Sequence, residues 1–161
     1  MKHIVIFPVI VLFLLLGLVL PGSPANAERI SLDGNFVYVV FNEVLSAPEA
    51  PVATVRIDQR GFNVQKDPSH LLHLASQDCT GHLEGNAETF EGGGSCVVVP
   101  NDGSGRLWVS WTGTQDGGTW TVSRGSGRFA GATGNGRYTL LPVNWSVAKG
   151  GSVSTGVIEI P

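Results

Sequence analysis

Three histidines that could bind a metal lie within one short stretch of the chain. His70 and His73 are separated by two residues, and His82 follows further along. On a helix, His70 and His73 would share a face, and Asp78 or Glu84 could add oxygen ligands. On a strand, positions 73 and 82 have opposite parity and would face opposite sides of the sheet unless a bulge intervenes. We interpret all three as solvated histidines, and we predict neither a metal nor a cofactor.

The sequence gives little support for catalysis by a nucleophile or by paired carboxylates. It contains no G-x-S-x-G motif, which is the setting expected for an activated serine in one large hydrolase class. Glu84, Glu88 and Glu91 cluster, but they lie beside glycine and asparagine, as at a solvated hairpin end. Glu43 is the acid that adjoins the most apolar run. A cofactor-independent isomerase or cyclase with a buried carboxylate at Glu43 is therefore the alternative to a non-enzymatic protein.

The tryptophans give the better indication of ligand binding. All four fall on predicted strands: Trp108, Trp111, Trp120 and Trp145. Alternation along RLWVSWT (106–112) places Trp108 and Ser110 on the face opposite Trp111. An aromatic ring beside small hydroxyl side chains is expected in the wall of a small-ligand pocket. We predict that Trp108, Ser110 and Trp120 contact a ligand. The alternative is ordinary packing of a barrel core, which explains the same pattern.

The elements that must position these residues are short strands. No segment has the apolar spacing of a helix, and β-branched and aromatic runs recur between Gly, Asn, Asp and Pro. The clusters NDGSG (101–105), QDGG (115–118) and KGG (149–151) are typical of hairpin turns, which need positive φ. About eight such strands predict an all-β sandwich or closed barrel. A single antiparallel up-and-down β-barrel over residues 28–161 is favoured, because closure removes exposed sheet edges.

One predicted strand, FVYVVF (36–41), is apolar on both faces. One face carries Phe36, Tyr38 and Val40, and the other carries Val37, Val39 and Phe41. A small barrel can bury only one of these faces, and an exposed apolar stripe usually has a cover. The stripe could be covered by residues 29–34 or by another subunit. We favour a closed homo-oligomer.

The chain begins with a predicted signal peptide, residues 1–27. A weakly basic start is followed by an apolar stretch (4–20), helix-breaking residues and an Ala-Asn-Ala cleavage sequence. An uncleaved membrane anchor is the alternative, because the apolar stretch is close to the shortest length that spans a bilayer. We predict an exported protein, periplasmic or extracellular, with no membrane association after cleavage. The missing aromatic girdles disfavour an outer-membrane barrel.

Cysteine usage agrees with export. Cys79 and Cys96 are the only cysteines, and an oxidising compartment would pair them. Two thiols could instead contribute to a metal site, but the spacing contains no C-x-x-C element. We predict a disulfide.

A glycine-rich segment, GSGRFAGATGNG (125–136), indicates tight backbone crossings between two strands. Its five glycines are Gly125, Gly127, Gly131, Gly134 and Gly136. Dinucleotide binding does not fit, because no helix opens there and no acid lies between Asp116 and Glu159 to hold a ribose. We therefore assign the segment a structural role.

The same segment, with Tyr138 and Leu140 after it, resembles the G-T-G-[RK]-[FY]-x-G-x-T-G-x-G segment of a group of exported bacterial proteins. That group is usually assigned to the allene oxide cyclase-like or dirigent-like barrels, and Ser126 stands here where Thr is commoner. Further similarities are C-x-G at 79–81, G-x-C at 94–96 and D-x-x-G at 102–105, so the resemblance covers roughly residues 73–141. It implies an up-and-down antiparallel barrel and a trimer, and it transfers no activity or pocket residue.

Charge excludes one further class of partner. The 13 acidic and 10 basic residues give a net charge of −3, and the basic residues are scattered singly. This distribution argues against nucleic acid as a partner. We predict a secreted or periplasmic, non-enzymatic β-barrel module that binds a small apolar ligand in its lumen.

Overall fold

The chain folds into a closed barrel of eight strands. The computed structural model describes residues 27–46, 51–86, 89–142 and 148–161. The strands are β1 (Glu28–Val44), β2 (Ala53–Gln65), β3 (Ser76–Gly85), β4 (Phe90–Val99), β5 (Gly105–Thr114), β6 (Gly117–Gly127), β7 (Thr133–Leu140) and β8 (Lys149–Ile160). Each strand pairs antiparallel with the next in sequence, and β8 pairs with β1. The predicted all-β, up-and-down antiparallel barrel is confirmed.

Three predictions fall wholly or partly outside the described residues. The predicted signal peptide lies there except for Ala27, and so do Trp145 and, from the acidic cluster, Glu88. Within the part of the chain that the structure describes, no helix is long and apolar enough to cross a membrane.

Strand β1 shows how the barrel sorts side chains by alternation. Phe36, Tyr38 and Val40 point inward and are buried, whereas Val37 and Phe41 are 53% and 57% exposed. One face of FVYVVF is therefore core and the other is surface, as expected. Residues 29–34 do not cover the exposed face, because they extend β1 and pair with β8. The intrachain cover considered above is wrong.

One end of the barrel is closed by two turns. Residues 66–75 join β2 to β3, and residues 128–132 join β6 to β7. They insert Leu72 and Phe129 into a buried cluster with Leu107 and Ile158, and Phe129 is fully buried. This cluster is the main hydrophobic core, and it forms the floor of the barrel.

The glycine-rich segment builds the second of these turns. The backbone of Gly125 approaches the carbonyl oxygen of Phe129 so closely that a Cβ would overlap it. Gly127 and Gly131 have φ values of 60° and 77°, a region that side chains disfavour. The turn is closed by backbone hydrogen bonds, among them one of 3.0 Å from the Ala130 N–H to the carbonyl of Gly127. The segment thus aims Phe129 into the floor.

Candidate functional site

The barrel lumen contains a partly open cavity of about 140 Å³. Its floor is formed by Leu72, Leu107 and Ile158, which also belong to the core cluster. It extends toward the end at which β3 joins β4 and β7 joins β8, where Leu83 and Leu140 line it. The wall is mostly apolar and aromatic. This combination is typical of a small-molecule site.

Two tryptophans form the aromatic part of the wall. Trp111 on β5 and Trp120 on β6 are directly paired across the strands, and both rings line the cavity. The Trp111 ring lies over Gly81, and the Trp120 ring lies over Gly136 and Gly156. A Cβ at any of these glycines would overlap the ring that lies over it. Glycine at these positions makes room for the indoles to lie along the wall.

Of the three predicted ligand contacts, only Trp120 lies in the lumen. Ser110 is exposed on the outer face of β5, and half-buried Trp108 is on the same face with the Arg124 guanidinium 3.9 Å from its ring centroid. The predicted ligand-binding face of β5, with Trp108 and Ser110, is therefore its outer face. In a closed barrel the pocket and the core both belong to the inward face, which here carries Val109 and Trp111. Leu107, Val109 and Trp111 alternate in the sequence, and this apolar face already indicates that Trp111 points inward.

Amide side chains on β2 and β3 form the polar part of the wall. Asn63 donates a 2.8 Å hydrogen bond from Nδ2 to Gln77 Oε1. Gln77 Nε2 in turn contacts the sulfurs of Cys79 at 3.2 Å and Cys96 at 3.6 Å. Cys79 and Cys96 are directly opposite on β3 and β4 and form a disulfide that lines the lumen. The predicted disulfide is confirmed, and it is consistent with an exported protein.

Several lumenal polar groups have no partner among the described residues. The side chains of Gln59, Ser152 and Ser154 line the cavity, and no hydrogen bond joins them to another described group. Ser152 is only 5% exposed. The indole N–H groups of Trp111 and Trp120 are also buried without an acceptor in the described part of the chain. Such groups are costly when they stay unpaired.

Two tyrosines are the titratable side chains of the wall. Burial raises the pKa of Tyr38, and burial together with the nearby Tyr38 raises the pKa of Tyr138 to about 12. Tyr38 Oη donates to the carbonyl of Gly151 at 3.5 Å, and Tyr138 Oη donates to that of Thr112 at 3.3 Å. Both phenols are therefore neutral near pH 7. No Asp, Glu, His, Lys or Arg is among the described residues that line the cavity.

The residues considered for chemistry in the sequence lie elsewhere. Glu43 is exposed rather than buried. His70 Nδ1 accepts from the Leu72 N–H at 3.0 Å, and its Nε2 lies 3.0 Å from the carbonyl of Ser31. His73 Nδ1 contacts the carbonyl of Gln65, and His82 is exposed on β3. Over the described ranges, no three His, Cys, Asp or Glu residues come together as a potential metal site.

Comparison with known proteins supports the barrel. No protein-family model matches the sequence, and the curated proteins give no match. Among solved structures, the pterocarpan synthase dirigent protein PsPTS1 superposes with a TM-score of 0.53 and 12% identity, over 83% of this chain and 96% of that one. The pterocarpan synthase dirigent protein GePTS1 gives 0.55 and 14%, over 83% and 91%. The fold is that of a dirigent-like barrel. At this identity the likeness concerns the fold alone.

Proposed function

We propose that this protein is an exported β-barrel module that binds a small apolar ligand in its lumen without transforming it. The observation that carries the proposal is the cavity of about 140 Å³ with a mostly apolar wall. A dry cavity of about 150 Å³ in another protein binds benzene, so this lumen suits a ligand of about one ring. The Cys79–Cys96 disulfide and the predicted signal peptide support export. Exported protein should then begin at Glu28.

Self-association is part of the proposal, because a continuous apolar surface remains outside the barrel. Val37 on β1 is paired with Phe62 on β2, and both are more than half exposed. Val39, Phe41 and Val153 extend this surface along β1 and onto β8. Soluble proteins usually cover such a surface. A symmetric homo-oligomer, a trimer by analogy with the barrel group, would bury it.

An enzyme that isomerises or cyclises a ligand in the lumen is the second candidate. Its support is that the two dirigent proteins compared above are named as pterocarpan synthases. Here the titratable groups of the described wall are the phenols of Tyr38 and Tyr138, so proton transfer would have to use one of them.

Native mass spectrometry of protein purified from an exporting host tests binding, followed by incubation of any released ligand with fresh protein. We expect a bound small molecule that is recovered unchanged. The variant Leu83→Trp should lose it by filling the lumen, while Thr121→Trp, which is on the outer face of β6, should keep it. Conversion of the ligand that stops in Tyr138→Phe would favour the enzyme instead. Equal occupancy in both tryptophan variants would contradict lumenal binding.

A further inference from the structure

The wall of the lumen carries polarity without charge. Amide and hydroxyl groups face a cavity whose described lining contains no ionised side chain at neutral pH. A charged ligand would lose its hydration there and meet no opposite charge. Removing an ion from water without a partner costs several kcal/mol even after relaxation of the protein. The lumen therefore disfavours the binding of both anions and cations.

The unpaired polar groups are placed to hold an uncharged polar ligand. Ser152 and Ser154 lie on β8, and Gln59 lies on β2, so they flank the aromatic strand β1 on both sides. Ser152 is the most buried of the three, and its hydroxyl has no hydrogen-bond partner among the described residues. A hydroxyl can both donate and accept, so one ligand oxygen could satisfy it.

The Trp120 ring lies beside the serines of this polar strip, because it reaches over Gly156 on β8, two residues beyond Ser154. In a closed barrel of eight strands, β2 and β6 are four strands apart and lie on opposite sides, so Trp120 is across the lumen from Gln59. The rings of Trp111 and Trp120 line this side of the lumen, whereas their indole nitrogens have almost no accessible surface and no acceptor within the described chain.

We propose that the lumen selects an uncharged ligand that has an apolar body and a hydrogen-bonding oxygen, and that it excludes carboxylates and ammonium ions. The inference rests on the proposed ligand-binding function and adds the class of ligand. Ser152 and Ser154 are the residues that hold the ligand oxygen, and the indole rings contact the apolar body.

Four probes of nearly equal size separate the contributions: toluene, benzyl alcohol, benzoate and benzylamine. Binding to the full exported protein at pH 7 is followed by chemical-shift changes of the indole N–H signals. We expect toluene and benzyl alcohol to bind, and benzoate and benzylammonium to bind at least about 30-fold more weakly than benzyl alcohol. A smaller ratio for either ion would overturn the proposal. If toluene itself does not bind, the lumen takes no ligand of this size and the proposed function fails with it.

Substitutions assign the oxygen contact. Ser152→Ala and Ser154→Ala together should weaken benzyl alcohol about three- to tenfold relative to toluene, because one or two hydrogen bonds are lost. Ser95→Ala, on the outer face of β4, should leave the ratio unchanged. Gln59→Lys should raise the affinity for benzoate at least about tenfold by supplying the missing charge, whereas Thr80→Lys on the outer face should not. An unchanged ratio in the double serine variant, with the barrel folded by circular dichroism, would show that these hydroxyls do not hold the ligand.

Discussion

At the scale of single residues, the absorbance of the tyrosine side chains reports on the lumen. Tyr38 and Tyr138 are the only two tyrosines of the chain, and both line the cavity. Any phenolate absorbance therefore comes from the lumen. This makes the burial of the wall measurable without a label.

We expect the folded protein to resist tyrosine ionisation as pH rises. Burial raises both pKa values, and that of Tyr138 reaches about 12, whereas an unfolded tyrosine ionises near pH 10. Between about pH 10 and 12 the unfolded state binds fewer protons, so the free energy of unfolding falls across this window and is unaffected below it. Absorbance titration of folded and guanidinium-unfolded protein checks this. Phenolate signals that titrate near pH 10 in the folded protein would mean that the wall is solvated.

The disulfide is a second property of individual residues. It closes a loop between positions 17 apart in sequence, which the chain-entropy model values at about 3 kcal/mol. Replacing both Cys79 and Cys96 by alanine should lower the free energy of unfolding by about that amount in urea titrations. Denatured, unreduced wild-type protein should bind no thiol reagent. Two reactive thiols in protein from an oxidising compartment would contradict the bridge.

Residue-level prediction from sequence succeeded where chemistry restricted the options. Two cysteines have one possible intramolecular pairing, and it is the one observed. Trp108 and Trp111 were harder, since alternation separates two faces of a strand but does not say which face a closed barrel encloses. The polarity of the lumen was not predicted, because Gln59 and Ser152 acquire it only through their place in the closed sheet.

At the scale of elements, the register of the strands builds the aromatic wall. Hydrogen-bonded pairing aligns Trp120 with Gly136 on β7, and Gly136 with Gly156 on β8. The indole lies over both glycines. The strands themselves can be predicted from alternation and turn residues in the sequence. The alignment of Trp120 with the two glycines depends on strand pairing, which only the closed barrel defines.

Gly136→Ala should destabilise the barrel by about 1–3 kcal/mol, because the new methyl group would overlap both the Thr155 carbonyl oxygen and the Trp120 ring. The same substitution should cost less in a Trp120→Leu background, where the ring is absent, so the two changes should couple in a double-mutant cycle. Asn135→Ala is the control, since Asn135 is the preceding residue of β7 and is exposed. Equal costs of Gly136→Ala in both backgrounds would show that the Thr155 carbonyl, and not the ring, requires glycine there.

At the scale of the whole molecule, closure explains both the cavity and the uncovered surface. Eight strands of alternating polarity place one face of every strand in the lumen, so an apolar outer face has no interior left to enter. The sequence predicted this consequence for β1 from FVYVVF alone. It did not predict that Phe62 and Val153 on β2 and β8 enlarge the same surface, because strand neighbours were unknown.

The oligomer is tested by placing one charge in this surface. Val39 is paired with Arg60 on one side and Lys149 on the other, so Val39→Glu gains two opposite charges and should not unfold the monomer. We expect wild-type protein to sediment as an oligomer at micromolar concentration, and Val39→Glu to sediment as a monomer with unchanged β-sheet circular dichroism. Thr121→Glu, which lies on β6 across the barrel, should remain oligomeric. A wild-type monomer in analytical ultracentrifugation would refute self-association, and the apolar surface would then need a different partner.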